Sequence, residues 1–133
     1  MSVVIQQPLR PSSTDFGSRG GKRSIKMVSC IIRSEKLILV TDSINKLNLV
    51  GGMTVTDVRG MGREEPFRGA KYEMSFVPKV KIEIAIESSD VNEVGALVSE
   101  LARTGEVGDG KIFIGDVIDV MRIRTGERGV SAL

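Results

Sequence analysis

The length of 133 residues and the hydrophobic fraction of 41% fit one globular domain with a modest core. No apolar run reaches the roughly 18 residues that a membrane span needs, and the single cysteine excludes an internal disulfide and suits the cytoplasm. The net charge of +2 is the sum of +4 in residues 1–26 and −2 in the remainder, and aromatic residues amount to only 4%. The composition therefore argues against membrane insertion and against nucleic-acid binding.

The chain begins with a segment of low complexity. Residues 1–25 are rich in Gly, Ser, Pro and Arg and show no apolar periodicity, which predicts a flexible N-terminal extension without the apolar region of a secretory signal. We expect one ordered domain over residues 26–133.

The first half of this domain predicts a strand, a helix and a second strand. "KMVSCIIR" has the composition of a strand, in which Cys30 is expected to be buried and unreactive. "SEKLILVTDSINKL" predicts a helix with Ser34 as its N-cap. "GMTVTDVRG" predicts the second strand, and the polar segment after it predicts a long loop. The apolar stripe of the helix is Leu37, Val40, Ile44 and Leu47.

The second half repeats this pattern. "EMSFVPKVKIEIAIE" alternates as a strand does, and "DVNE", from Asp90 to Glu93, resembles a capping box that opens a second helix. "KIFIGDVIDVMRIR", residues 111–124, predicts one long final strand. The stripe of the second helix is Val91, Val94, Val98 and Leu101.

The predicted order is βαββαβ, which indicates a ferredoxin-like α+β sandwich with an antiparallel sheet and both helices on one face. The final strand carries apolar residues at both alternating positions, so its other face should be buried as well. A chain of this size has no further element to cover that face, and we therefore expect self-association.

The stretch "TGEVGDGKIFI" contains most of a P-loop. Ile112 stands where a P-loop has its serine or threonine, and the stretch follows a predicted helix and opens a strand, which is the reverse of a P-loop's setting. The Walker interpretation therefore fails. A glycine turn holding Lys111 can still bind phosphate through backbone N–H groups, although the segment alone is better explained as a tight turn with a solvated lysine.

"RIRTGE" places Arg122 and Arg124 two residues apart on the predicted final strand, so both guanidinium groups should point to one side. Two such forks suit a polyphosphate, and solvated pairs with nearby carboxylates are an equal alternative. Catalysis has little support, because the chain lacks histidine, a GxSxG motif and a cysteine cluster for zinc. The sequence predicts a protein that binds nucleotide without consuming it.

Four segments together resemble the PII signal-transduction proteins in order and spacing. They are "GMTVTDVRGMGR", "FRGAKYEMSFVPKVKIEI", "ARTGEVGDGKIFI" and "DVMRIRTGERG", and the resemblance covers about residues 26–129. It implies a ferredoxin-like homotrimer that binds ATP, ADP or AMP in clefts between subunits. It also implies a mobile T-loop, about residues 61–73, that signals to a target enzyme or transporter.

The resemblance implies specific site residues. Thr54 would contact adenine, Lys79 would pair with the carboxylate of an effector such as 2-oxoglutarate, and Arg122 and Arg124 would reach the phosphates from the neighbouring subunit. The remaining nucleotide contacts would be Gly62, Arg63, Gly108, Asp109, Gly110 and Lys111. A slow ATPase that uses Asp109 or Glu64 is an alternative, although no positioned base is evident.

Three departures from the family pattern lie in the T-loop. Glu64 stands where the family has a glutamine that helps to hold Mg²⁺, the loop is about four residues shorter than usual, and Phe67 replaces the modifiable tyrosine. Lys71 also replaces an acidic residue. A carboxylate at residue 64 can ligate Mg²⁺ but would repel dianionic 2-oxoglutarate. These departures favour a divergent PII-like branch, of the kind associated with carboxysomes or inorganic carbon, with bicarbonate as effector.

Overall fold

The computed structural model describes residues 24–49, 51–62 and 76–133. The described chain forms four strands and two helices in the order βαββαβ. They are β1 (Ile25–Arg33), α1 (Leu37–Asn45), β2 (Met53–Gly60), β3 (Val77–Glu87), α2 (Val91–Ala102) and β4 (Gly110–Val117). The predicted N-terminal extension and most of the predicted T-loop lie outside the described residues.

The four strands form one antiparallel sheet in the order β2-β3-β1-β4. The two central strands, β1 and β3, are the first strands of the two βαβ halves, and each half contributes one edge strand. This topology confirms the predicted ferredoxin-like α+β sandwich. The register brings Arg33 opposite Lys79 and Ile31 opposite Lys111, so β1 ends beside both the start of β3 and the start of β4.

The core lies between one face of the sheet and the two helices. Alternate residues of β1 and β3 are almost fully buried, and the apolar stripes of both helices pack against them, as the sequence predicts. Burial raises the pKa of the Cys30 thiol to about 11, so this thiol is protonated and unreactive at neutral pH. The central side chains are Val28, Cys30, Ile32, Val40, Ile44, Val80, Ile82, Ile84, Ile86, Val94 and Val98.

The opposite face of the sheet carries no helix in the described part of the chain. The strand register places Ile31, Thr54 and Val58 on this open face, together with Lys79 and Lys111. Phe113 lies on it as well and is half exposed. The face therefore mixes apolar side chains with threonines and charged residues. It is more polar than the apolar pattern of the predicted final strand suggests.

Neither predicted side-chain cap forms, although Asp90 does stand at the N-cap of α2. A 3₁₀ turn precedes each helix, so Ser34 lies within the turn Ser34–Lys36 and α1 begins at Leu37. Asp90 occupies the N-cap position of α2, but its backbone is already in the helical region (φ −94°, ψ −8°) and its side chain makes no capping bond. The 3₁₀ turns give the N-cap residues helical geometry, whereas a side-chain cap normally requires an extended backbone.

The final strand is shorter than predicted. It ends at Val117, and Arg122 and Arg124 lie in a C-terminal hairpin instead of on the strand. Val117 pairs with Ile25, the first residue of β1, so the β1–β4 ladder ends there. Beyond it, the carboxylate of Asp119 accepts the N–H groups of Val120 and Gly129 within the C-terminal loop. The prediction that both arginines share one strand face is therefore wrong.

Candidate functional site

The glycine-rich turn between α2 and β4 has the setting that the sequence predicts. It follows a helix and opens a strand, and Gly105, Gly108 and Gly110 all have positive φ. A Cβ atom on Gly110 would lie 1.7 Å from the carbonyl oxygen of Ile31, because the turn enters the sheet directly against β1. Only glycine fits there, so the tight approach of the turn to β1 requires this residue.

Asp109 organises the turn from within. Its Oδ2 accepts the N–H groups of Thr104 (2.8 Å) and Gly105 (2.9 Å), and its Oδ1 accepts the hydroxyl of Thr104 and the Nε of Arg33 (3.1 Å). The hydroxyl of Thr104, followed by these N–H groups and the Arg33 guanidinium, holds the pKa of the Asp109 carboxyl well below its usual range. Asp109 is therefore a carboxylate whose oxygens are already engaged.

Two cations hold the other side of the turn. The Nη2 of Arg33, at the end of β1, donates to the carbonyl oxygen of Val107 at 2.7 Å. The Nζ of Lys79, at the start of β3, donates to the carbonyl oxygen of Gly108. Lys79, predicted as an effector residue, thus lies directly beside the predicted phosphate turn.

Lys111 is exposed at the start of β4, on the open face beside Ile31, and has no acceptor within the described residues. Thr54 is exposed on the same face, in β2 opposite Glu83. Gly62 follows the end of β2 and is exposed. The structure thus carries Thr54, Lys79 and Lys111 on one face of the sheet, while Arg63 and Glu64 lie outside the described residues.

The two predicted arginines differ from each other. Arg122 is half-buried and donates to Glu127 (3.2 Å) and to the backbone oxygen of Leu133 (2.9 Å). Arg124 is exposed and has no acceptor in the described part of the chain. Neither makes a hydrogen bond or ion pair with the glycine turn, and β4 carries the chain about 23 Å, from Gly110 to Val117, before their hairpin begins. Within one chain, the two arginines therefore do not lie at the site that holds Lys111.

A cleft of about 340 Å³ borders the turn on the helix side, between the end of α2 and the start of β4. Its lining includes Asp109, Gly110 and Lys111 of the turn together with Ser99 and Arg103, but none of the predicted residues on β2, β3 or the C-terminal hairpin. The described part of one chain thus does not enclose the predicted nucleotide site. Within that part, no three His, Cys, Asp or Glu residues are arranged to hold a metal ion.

Two residues of the site, Arg33 and Thr104, were not predicted from the sequence. Thr104 and Arg33 hold Asp109, and Arg33 lies 76 positions away from it along the chain. The threonine had a local signal, since a hydroxyl residue shortly before a glycine turn often bonds the backbone of that turn. Arg33 had none, because only the pairing of β1 with β4 brings it to the turn.

Comparison with known proteins identifies relatives along the same residues. The family model "Nitrogen regulatory protein P-II" matches residues 25–127. The chain is 46% identical over 115 residues to nitrogen regulatory protein P-II 1 of Methanothermobacter thermautotrophicus, covering 84% of this chain and 99% of that protein. It is 44% identical over 113 residues to nitrogen regulatory protein GlnK of Escherichia coli, covering 82% of this chain and the whole of that protein.

Solved structures agree with this match. A Bacillus subtilis GlnK–ATP complex has a TM-score of 0.72 at 29% identity and covers 83% of this chain and 96% of its own. Arabidopsis thaliana PII bound to citrate has a TM-score of 0.69 at 41% identity, with 83% of this chain and 92% of its own covered. In the described residues, no helix is both long enough and apolar enough to span a bilayer. The family model, the curated relatives and the solved structures agree, and the chain therefore belongs to the P-II nitrogen regulatory protein family.

Proposed function

We propose that this protein is a cytoplasmic regulator that binds ATP, ADP or AMP at the turn Gly108–Lys111 and passes the bound state to a target protein. The observation that carries the proposal is the turn itself, in which Arg33, Lys79 and Asp109 hold the backbone in place. The Lys111 side chain beside it has no acceptor among the described residues. A related GlnK, 29% identical, has been solved as a complex with ATP. A fixed backbone with a free cation is suited to phosphate.

The nucleotide site is completed by a second subunit in this proposal. The open face of the sheet carries exposed Phe113 on β4, together with Ile31 on β1 and Val58 on β2, which favours burial against another copy in a homotrimer. Arg122 and Arg124, which do not contact the turn of their own chain, then reach the phosphates bound to a neighbour. Thr54, Gly62 and Arg63 would line the same cleft, with Thr54 at the adenine.

Calorimetry with ATP, ADP and AMP tests the proposal directly. We expect micromolar or tighter dissociation constants for at least one of the three nucleotides, because several charge-assisted contacts converge on the phosphates. Dissociation constants of 1 mM or weaker for all three would refute nucleotide sensing. A purely structural trimer would form in the same way, but nucleotide would leave its thermal stability unchanged, whereas specific binding raises it by mass action.

A slow ATPase is the weaker alternative. Asp109 was its candidate base, and the four hydrogen bonds to its carboxylate, with its lowered pKa, make it a poor proton acceptor. Glu64, the other candidate, lies outside the described residues. The relatives are named as regulatory proteins. Turnover that persists in Lys111→Ala would indicate a contaminating enzyme.

Two effectors, 2-oxoglutarate and bicarbonate, are candidates in this proposal. The relatives that are 44–46% identical are named nitrogen regulatory proteins, which favours the 2-oxoglutarate sensing that is usual in the family. Glu64 favours a smaller anion such as bicarbonate. In that case the protein would be a PII-like regulator of the inorganic-carbon type, which signals carbon and energy status to its target. Lys79 would pair with the effector's carboxylate, and Glu64 would ligate Mg²⁺.

Titration of 2-oxoglutarate into the Mg-ATP complex separates these two effectors. A negative charge within about 4 Å of a dianion costs about 4 kcal/mol per charge pair at an effective dielectric constant of 20, before any offset by Mg²⁺. We therefore expect weak binding of 2-oxoglutarate, with bicarbonate or nucleotide alone ordering the loop. Micromolar affinity would instead assign the protein to ordinary nitrogen–carbon sensing.

The variant Glu64→Gln identifies the cause if binding is weak. Recovery of 2-oxoglutarate affinity in this variant would confirm the charge argument, since glutamine keeps the size of the side chain and removes its charge. No recovery would place the cause in the shortened loop. The target, an enzyme or a transporter, is expected to recognise residues 61–73, and co-purification with and without ATP would identify it.

A further inference from the structure

We infer that Arg33 is a positioning residue for the phosphate turn, and that nucleotide affinity depends on its guanidinium although Arg33 itself need not touch the ligand. The inference rests on the proposed function for its ligand and on the geometry of the turn for its mechanism. Arg33 lies at the end of β1 with its side chain 25% exposed, and it spans from Asp109 to Val107.

Arg33 makes two hydrogen bonds to the turn. Its Nε meets the carboxylate of Asp109 at 3.1 Å, and its Nη2 meets the carbonyl oxygen of Val107 at 2.7 Å. One planar guanidinium therefore fixes both a side chain and a peptide group of the same turn. A lysine ammonium lacks this rigid fork and cannot reproduce its geometry.

The two cations also set the direction of the peptide groups that follow Val107 and Gly108. In a trans peptide the C=O and the following N–H point to opposite sides, and the described chain has no cis bond. Arg33 holds the carbonyl of Val107 and Lys79 holds that of Gly108, so the N–H groups of Gly108 and Asp109 point away from both cations. Neither N–H has an acceptor among the described residues, which leaves two consecutive donors for an anion.

Gly108 lies between the two cations. Its φ is +100°, and a Cβ atom there would lie 3.4 Å from both the Nη2 of Arg33 and the Nζ of Lys79. The two cations thus close tightly around the peptide that they orient. Removing Arg33 would free the carbonyl of Val107 and release one side of Asp109, so the donors would no longer be held in one direction.

The test uses the full chain and compares Arg33→Met, which keeps the apolar stem, with Lys26→Met, which breaks an ion pair with Asp116 near the other end of β1. We expect Arg33→Met to weaken ATP binding tenfold or more and Lys26→Met to leave it within twofold. Inorganic tripolyphosphate should lose affinity by a similar factor, because the turn faces phosphate. Unchanged ATP affinity in Arg33→Met would overturn the inference.

Amide hydrogen exchange in the ligand-free protein separates the two roles of Arg33. If Arg33 acted only by touching ATP, its replacement would leave the exchange of the turn unchanged. The N–H groups of Thr104 and Gly105, both bound to Asp109, should be protected in the wild type and lose protection in Arg33→Met. Lost affinity with retained protection would mean that Arg33 touches the ligand directly, which also overturns a positioning role.

If Arg33→Met does not fold, Arg33→Lys replaces it, and its amide protection and ATP affinity must fall together, since lysine keeps the charge without the fork. If the wild type binds no nucleotide, the proposed function fails, and the exchange data still decide the turn. Loss of protection in Arg33→Met would then support its role in fixing the turn, and retained protection would refute it.

Discussion

Replacing Gly110 by alanine is expected to lower the free energy of unfolding by about 3 kcal/mol or more, the largest stability effect that we predict for a single methyl group. The new Cβ would lie 1.7 Å from the carbonyl oxygen of Ile31 and 2.8 Å from its carbonyl carbon. These are backbone atoms of a central strand and cannot move aside as a side chain does. Denaturant unfolding at a fixed protein concentration measures the change.

Two other glycines are matched controls for this variant. Gly105 also has positive φ (+90°), but nothing lies within 4 Å of its Cβ position, so Gly105→Ala carries the backbone strain without the clash. Gly95 lies within α2 with open space around it, and Gly95→Ala should stabilise the protein by about 0.5–1 kcal/mol. If Gly110→Ala destabilises no more than Gly105→Ala, the close approach to β1 is wrong.

Replacing Arg124 by alanine is expected to weaken ATP binding tenfold or more, because a charge-assisted contact with phosphate contributes about 1.5–3 kcal/mol. Arg124 is exposed and has no acceptor in the described part of its own chain, so its removal should leave the stability of the fold unchanged. Lys46→Ala, an exposed cation just after α1, is the charge-matched control. Calorimetry on both variants gives the comparison, and equal ATP affinities would remove Arg124 from the site.

Mixed trimers show whether Lys111 and Arg124 act across subunits. Lys111→Ala and Arg124→Ala should each bind ATP poorly as pure proteins. A ring that contains both variants has one cleft in which an intact Lys111 meets an intact Arg124 of its neighbour, so co-expression should restore one tight site per mixed trimer. If both residues serve the same cleft from one chain, mixing restores no tight site.

The sequence by itself determined the order of the elements and the composition of the core. Helical spacing placed Val40, Ile44, Val94 and Val98 on the buried stripes, and the βαββαβ order implied the ferredoxin-like sheet, because each signal lies within one segment of the chain. The motif at Gly108–Lys111 was also recognisable from local spacing. The family resemblance drew on the same segments and agrees with the family model over residues 25–127.

The tertiary structure alone decided how the turn is held and where the C-terminal arginines lie. Arg33, Lys79 and Asp109 meet only because β1 pairs with both β3 and β4, and no local pattern records a contact across 76 positions. The end of β4 depended on β1, because Val117 lies opposite Ile25, the first residue of that strand. Apolar alternation continues past Val117, but alternation within one segment does not encode how far the partner strand extends, and β1 ended the ladder there.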